Sequence, residues 1–391
     1  MIITKMDKIE ELLTRGVSQI IPTKDDLEKE LRGGKKLRLY TGIDPTGAQV
    51  HIGHTAWMWK LRAFQDLGHE VIVLIGDFTG MIGDPSGKSD ARKILTKEEV
   101  DKNAETYKEQ IGKIIRFDGP NAATIRRNSE WHSKMSALDT ARNMSYLTFA
   151  QVMERDMFKE RLNSGKDLYL SEFLYPYLQG YDSVAMDVDL EVGGSDQLFN
   201  MMTGRDLMHK MKRKNKFVMG LKLVTDASGK KIGKTEGNAI AITGKPEVLY
   251  GQVMSLPDEI ISSIFESCTN VPFDQIPSGN RPMDDKKKLA WQIVFQYNDK
   301  VAADVAQEYF ESTFQQKQTP QDIVTVTVTG NKILDVLVET KLASSKSEAK
   351  RLIEQGGVRV NDTNVSNYEL RIMNLDIINV GARKFVKVLT S

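Results

Sequence analysis

Apolar and polar positions along this chain switch between two periods. Over residues 37–42 side-chain character alternates from one residue to the next, which predicts a strand. From about residue 52 to 67 the apolar positions recur at helical spacing and stop near Gly68, which predicts an amphipathic helix. Between the two, Asp44, Pro45, Thr46 and Gly47 form a turn, since proline fixes φ and glycine relieves crowding. Short apolar runs at 71–75, 124–127 and 222–224 predict further strands, and stretches at 97–115, 171–181 and 197–210 predict helices. Alternation of this kind over residues 1–243 predicts an α/β fold: a doubly wound, Rossmann-like parallel sheet with helices on both faces. Ligands in such folds bind beyond the carboxyl ends of the strands, where strand order reverses. The loops after residues 43 and 75, the second carrying Asp77, Thr79 and Asp84, are expected at that mouth.

The pattern then changes twice. Residues 244–318 carry few strand signals: Pro246 opens one helix with Glu247 in its first turn, Pro257 and Asp258 precede another, and 284–297 holds Lys286, Lys287 and Lys288 before an apolar stretch. Read alone, this is a helical cap with a solvated basic turn. Residues 319–330 are expected as a linker, although Val and Thr alternate over 324–329 as in a strand. The final unit, 331–391, holds ten basic and seven acidic residues, net +3. Residues 333–339 and 345–354 read as helices and the segment after Gly357 as a strand. Lys346, Lys350 and Arg351 recur at helical spacing and share a face, which is either solvated or an anion-binding surface.

Candidate chemistry sits in two distant stretches. His51, Ile52, Gly53 and His54 fall at the start of the predicted 52–67 helix, where unpaired backbone N–H groups and the positive dipole end favour phosphate. Imidazoles there donate to phosphate oxygens, and Gly53 lets a flat base or ribose lie against the backbone. Two surface histidines or a metal pair are the alternatives. With five His and one Cys (Cys268), no Cys/His ligand cluster surrounds them, so no metal site is expected. Far downstream, Lys231, Ile232, Gly233, Lys234 and Thr235 make a cationic loop after a turn at residues 226–229. Such a loop can close over a polyphosphate, although on its own it reads equally as a solvated Lys/Gly loop.

Together the two stretches resemble the HIGH and KMSKS signatures of class I aminoacyl-tRNA synthetases. Residues 39–46 (LYTGIDPT), 79–88 (TGMIGDPSGK), 175–182 (YPYLQGYD) and 193–197 (GGSDQ) narrow the resemblance to bacterial-type tyrosyl-tRNA synthetases, over essentially the whole chain. The resemblance implies a Rossmann-like catalytic domain, a helical anticodon-recognising domain at 244–318 and a small S-four-like RNA-binding domain at 331–391. It implies activation of L-tyrosine by ATP, carried with Mg2+ as substrate, and transfer of the tyrosyl group to tRNA(Tyr). His51 and His54 would contact the ATP phosphates and ribose. Lys231 and Lys234, with Lys88 and Arg92, would stabilise the leaving pyrophosphate. Thr41, Gly42, Asp44, Gly53, Gly193 and Asp196 belong on the ATP side, Asp196 accepting from the ribose and Gly193 and Gly194 letting it approach. Tyr40 and Asp182 would bracket the phenol; Asp84, Tyr175 and Gln179 would hold the ammonium; Gln197 would reach the carboxylate or the phosphate. Tyr175, Gln179 and Asp182 share one helix face by spacing. Lys346, Lys350 and Arg351 would meet RNA phosphates. A homodimer is the family expectation, with residues 146–152 a candidate contact.

Composition changes this picture little. A net charge of +1 means that RNA affinity must come from local patches. One cysteine precludes an intramolecular disulfide and fits a reducing cytoplasm. No apolar run of about 18 residues appears, so no membrane partner is expected. A tryptophan-activating relative and a non-catalytic RNA-binding descendant are the competing readings. Thr41 stands where the family often has Cys and would still offer a hydroxyl to the ribose. Trp57 stands where smaller residues are usual.

Overall fold

Six strands build the first sheet: β1 (Val17–Ile21), β2 (Arg38–Ile43), β3 (Glu70–Ile75), β4 (Thr124–Arg127), β5 (Leu190–Gly194) and β6 (Phe217–Leu221). The computed structural model describes residues 7–86, 95–225, 232, 239–315, 325–361, 363–381 and 384–390. The strands lie in the order β1-β6-β5-β2-β3-β4. All neighbours are parallel except β1, which runs antiparallel along β6 at the edge. From β2 the chain steps outward to β3 and β4 on one side, and later to β5 and β6 on the other. Strand order therefore reverses between β2 and β5, which is the doubly wound arrangement with its crevice at their carboxyl ends. Val71, Ile72, Val73 and Leu74 of β3 are all buried, as a strand covered on both faces requires.

Local sequence explains the elements around that crevice. The helix Ile52–Asp66 starts at His51, whose backbone is extended (φ −124°, ψ 167°) before the chain turns helical. Its Met58, Leu61 and Phe64 are fully buried, and it ends at Leu67 just before Gly68 (φ +91°). The helix Leu170–Met186 runs longer than the pattern at 171–181 predicts, and it carries Pro176 in its interior. Several predicted elements differ. The strand expected at 222–224 is β6, at 217–221, and β1 is an additional edge strand. The stretch 97–115 divides into Lys97–Ala104 and Tyr107–Gly112. The stretch 197–210 is a turn at Ser195–Gln197, a helix Leu198–Leu207 and a wider-wound turn Met208–Lys212.

Packing divides the chain into two units, 1–300 and 301–391. The helices Pro246–Met254, Ile261–Cys268 and Pro282–Tyr297 belong to the first unit. Cys268 Sγ donates to Ile52 O (3.4 Å), and the Arg15 guanidinium caps the carbonyls of Phe265, Glu266 and Thr269. In the second unit β7 (Thr325–Val328), β8 (Val358–Val360), β9 (Thr363–Asn364), β10 (Ile377–Val380) and β11 (Lys384–Thr390) form a sheet in the order β7-β11-β10-β8-β9. The helices Ile333–Glu339 and Lys346–Glu354 cover it around Val336, Leu337, Ala349, Val358 and Ile378. Residues 325–328 fall inside the expected linker, yet they pair in parallel with β11 and bury Val328 completely. Alternation outweighs polarity there: the Thr side chains face out while Val328 enters the core.

Candidate active site

The crevice between β2 and β5 opens into a cleft of about 390 Å³. That is within the range of small-ligand sites, roughly 300–1,000 Å³. It gathers Tyr40, Thr41, Gly42 and Asp44 from β2 and its turn, and Glu191, Gly193, Gly194, Asp196 and Gln197 from β5 and the following turn. His51, Gly53, His54 and Trp57 enter from the Ile52–Asp66 helix, Asp84 and Ser86 from the loop after β3, and Tyr175, Gln179 and Asp182 from the Leu170–Met186 helix. The spacing argument for those last three therefore holds in three dimensions.

The histidines stack on one another, with ring centroids 3.7 Å apart and planes inclined by 24°. His51 N donates to His54 Nδ1 (3.3 Å), so one imidazole caps the helix start. The second motif is tied to the first by backbone. Ile52 N donates to Ile240 O (2.8 Å), and His51 pairs across to Ala241. Ile232 N donates to Val224 O (2.8 Å), and both residues line the cleft. A Cβ on Gly53 would lie 3.0 Å from Ile232 O. The segment leaving β6 and the segment returning at residue 240 are thus both fixed on the histidine side of one cleft. Lys231, Lys234, Thr235, Lys88 and Arg92 lie outside the described residues.

Comparison with known proteins identifies the family. Residues 32–315 match the family described as tRNA synthetases class I (W and Y), and residues 313–383 match the tyrosine–tRNA ligase SYY-like C-terminal domain. A Tyrosine–tRNA ligase of Thermotoga maritima is 40% identical over 97% of this chain and 96% of its own. One from Moorella thermoacetica is 39% identical over 97% and 95%. The chain belongs to the tyrosine–tRNA ligase family. Among solved structures, a truncated mitochondrial tyrosyl-tRNA synthetase of Aspergillus nidulans shares the fold at TM-score 0.66 and 21% identity, covering 79% of this chain and 95% of that one. The synthetase is an aminoacyl-tRNA ligase by that membership.

Beneath the Tyr40 end of the cleft lies a buried polar chain. Tyr40 Oη is 2.9 Å from Ser183 Oγ. Ser183 donates to Glu191 (3.3 Å) and accepts from Lys216 Nζ (2.8 Å), so the hydrogen between Tyr40 and Ser183 comes from the phenol. Lys216, fully buried, is ion-paired with Glu191. Burial pulls the Lys216 pKa down, and the Glu191 carboxylate opposes that fall. Gln179 donates to Glu191 (3.0 Å) and accepts from Asn200 (2.9 Å). Asn200 also reaches Gln197 (3.2 Å), which donates to Asp84 (2.8 Å). Asp84 accepts from Ser86 N and Oγ at 2.9 and 2.6 Å, and the buried Arg155 caps Ser86. Burial raises the Tyr40 pKa well above the usual phenol value. It also raises that of Asp182, although three donors oppose it.

Several expectations change in detail. Thr41 Oγ1 donates to Val192 O (2.7 Å), so its hydrogen is used within the sheet rather than offered to a ribose. Asp44 joins Tyr175 Oη and Thr79 Oγ1, both at 2.7 Å, and so braces the cleft. The space above Gly53 is filled by Ile232 O, that above Gly193 by Met201 Sδ and that above Gly194 by Asp196 Oδ1. These glycines make room for protein atoms. The backbone left open to a ligand is at Gly42, where a Cβ would meet nothing within 4 Å. Trp57 is buried to 8% exposure along the cleft wall.

Sequence reasoning missed Asn128, Ser183, Glu191, Asn200, Arg155 and Lys216. A charged or amide residue in isolation reads as surface, and only the closed sheet buries these. In the second unit the three basic residues are exposed but neighboured: Lys346 pairs with Asp335 (2.5 Å), Arg351 approaches Glu348 (3.9 Å), and Lys350 sits 6.0 Å from the Tyr368 ring centre. Among the described residues no group of three or more His, Cys, Asp or Glu side chains is arranged to hold a metal. No described helix is long and apolar enough to cross a membrane.

Proposed function

We propose that this cleft activates L-tyrosine with ATP and passes the tyrosyl group to tRNA(Tyr). The observation that carries the reading is the meeting of Gly53 and Ile232 above a pocket floored by Tyr40 and Asp182. In the first step a tyrosine carboxylate oxygen bonds to the α-phosphorus, the bond to the β-phosphate bridging oxygen breaks, and pyrophosphate leaves. In the second, a terminal ribose hydroxyl of tRNA attacks the tyrosyl carbonyl and loses its proton, and AMP departs. Neither step needs a protein nucleophile; alignment and charge stabilisation suffice.

His51 and His54 bind the phosphates and ribose at the helix start, where backbone N–H groups also face the ligand. Gly42 and Asp196 take the nucleoside, with Thr41 and Gly193 forming the wall behind it. Lys231, Lys234 and Thr235 of the second motif, together with Lys88 and Arg92, neutralise pyrophosphate as it leaves, so losing one lysine lowers kcat more than it raises KM for ATP. Mg2+ arrives with the triphosphate as part of the substrate. Asp182 and Tyr40 read the phenol, and Asp84, Tyr175, Gln179 and Gln197 hold the amino and carboxylate groups. A missing phenol leaves buried partners unmatched, a discrimination for which tyrosyl-tRNA synthetases are themselves the usual illustration.

Lys346, Lys350 and Arg351 touch tRNA phosphates, and the helical segment within 244–318 reads the anticodon. The assembly is a homodimer. Supporting this, Leu138, Tyr146, Phe149, Leu162, Tyr169 and Leu170 are exposed large apolar side chains concentrated between residues 138 and 170. Labelled pyrophosphate exchange into ATP tests the central reading. Exchange should require tyrosine; exchange with tryptophan instead favours the related specificity, and none with any amino acid ends the enzymatic reading.

A further inference from the structure

Asp182 is held from behind by the segment 128–132, of which only Asn128 itself lines the cleft. A carboxylate offers about four acceptor positions. Oδ1 receives two donors, Trp131 Nε1 and His132 Nε2, each at 2.8 Å, and Oδ2 receives Asn128 Nδ2 at 3.3 Å. Oδ1 is therefore filled from the protein side, and the acceptor position left over is on Oδ2. His132 is 5% exposed and does not line the cleft. Its ring is clamped by Phe78, Trp131 and Tyr181, with centroids 5.2, 6.1 and 5.9 Å away. Its Nδ1 is buried with no hydrogen-bond partner among the described residues. The tautomer with hydrogen on Nε2 feeds Asp182 and leaves on Nδ1 only a lone pair, cheaper to leave unmatched than an N–H.

We infer that His132 is a positioning residue that fixes tyrosine specificity, by donating to Asp182 Oδ1 and so presenting Oδ2 as the acceptor for the substrate phenol. This rests on the tyrosine reading above and adds to it a residue behind the pocket. Without the imidazole donor, the buried carboxylate keeps one partner on Oδ1. It then turns that oxygen toward the phenol site or takes up a proton, and in either state it distinguishes a hydroxyl from a bare ring less well. Phenylalanine, which has no group for Oδ2, is indifferent to the change.

The test compares wild type, His132→Leu and His132→Gln in pyrophosphate exchange with tyrosine and with phenylalanine. Leucine conserves apolar volume and removes the donor. It should raise KM for tyrosine about tenfold, the scale of one hydrogen bond to a charged group, with kcat within about twofold. Since kcat/KM for phenylalanine stays put, the tyrosine-to-phenylalanine preference also falls about tenfold. Glutamine places an amide N–H near the Nε2 position and should recover the preference to within about threefold. Should the leucine variant not fold, His132→Asn, whose shorter amide cannot reach Oδ1, replaces it with the same expectation. A folded leucine or asparagine variant that keeps the wild-type preference overturns the inference. So does a lost preference that glutamine fails to restore, because the effect is then packing. Wild-type protein inactive with tyrosine overturns the parent reading, a result distinct from both.

Discussion

Replacing Lys216 with methionine strands Glu191 in the interior. Both side chains are buried, at 0% and 2% exposure, and the ammonium is the carboxylate's charged partner. Methionine keeps most of the lysine's length and apolar stem. What remains at Glu191 is then Gln179 Nε2 at 3.0 Å and Ser183 Oγ at 3.3 Å, two neutral donors facing a full negative charge. Breaking one side of a buried pair costs about 3–5 kcal/mol, whereas replacing both sides with apolar groups is often neutral. For a unit of some 300 residues that predicts a fall in Tm on the order of 5–8 °C for Lys216→Met. Adding Glu191→Leu should recover most of it, short of the roughly 1 kcal/mol for each hydrogen bond left unmade at Gln179 and Ser183. Urea unfolding followed by tryptophan fluorescence measures all three variants, and the coupling between the two positions should be about 2–4 kcal/mol. The stable double variant should nonetheless bind tyrosine more weakly, because Ser183 and Gln179 have lost what holds them beneath the pocket. A single variant within 1 kcal/mol of wild type, or a double variant whose loss is the plain sum of the singles, would refute the claim that this pair is coupled.

Three further expectations follow from buried groups and exposed ones. Lys60 Nζ donates to Leu12 O (2.6 Å) and Arg15 O (2.7 Å), and burial pulls its pKa down to about 7. The unfolded chain binds this proton up to pH about 10.4 and the folded one releases it near 7. Wild-type stability should therefore rise between those values by up to about 1.4 kcal/mol per pH unit relative to Lys60→Met, in unfolding titrations from pH 7 to 9. Cys268 is fully buried, and burial raises its thiol pKa to about 12. Ellman's reagent should find no reactive thiol in the native protein and one in denaturant. Phe149 is 73% exposed beside Phe173, so the proposed homodimer predicts that Phe149→Asp shifts the light-scattering mass from dimer to monomer with the fold intact; a mass that Phe149→Asp leaves unchanged counts against an interface there.

The sequence made the histidine helix, β2, β3, β4 and most of the lining of the cleft legible, because each is punctuated by turn residues or by a change of period. Other elements were hidden for physical reasons. β6 reads Phe217, Val218, Met219, Gly220 and Leu221, and it lies between β1 and β5. A strand buried on both faces has no alternation to mark where it ends, so the strand predicted at 222–224 falls just beyond the true one. β1 reads Val17, Ser18, Gln19, Ile20 and Ile21, which neither alternates nor forms an apolar run, so no strand period marks it. In the second unit β11 does alternate, with Val386 and Val388 buried, and that signal was available. His132, Glu191 and Lys216 carry no local mark of burial. Their roles come from the meeting of segments that only the closed sheet brings together.

That meeting also explains why the site tolerates an unusual second motif. Lys-Ile-Gly-Lys-Thr replaces the commoner Lys-Met-Ser-Lys-Ser, and its Ile232 is 2% exposed, with its N–H on Val224 O and its carbonyl beside Gly53. The position between the lysines is therefore a hydrophobic anchor, a requirement that isoleucine and methionine both meet. Gly53 is fixed by the same contact. A methyl group there would press on a backbone carbonyl at 3.0 Å and on the His51 ring at 3.2 Å, and a backbone carbonyl cannot swing aside as a side-chain tip can. The glycine of the first motif and the apolar residue of the second thus constrain each other across a backbone contact. On this argument a larger residue at 53 should impair the ATP half-reaction without touching tyrosine binding, since Tyr40 and Asp182 are held by Ser183 and the 128–132 segment rather than by this contact.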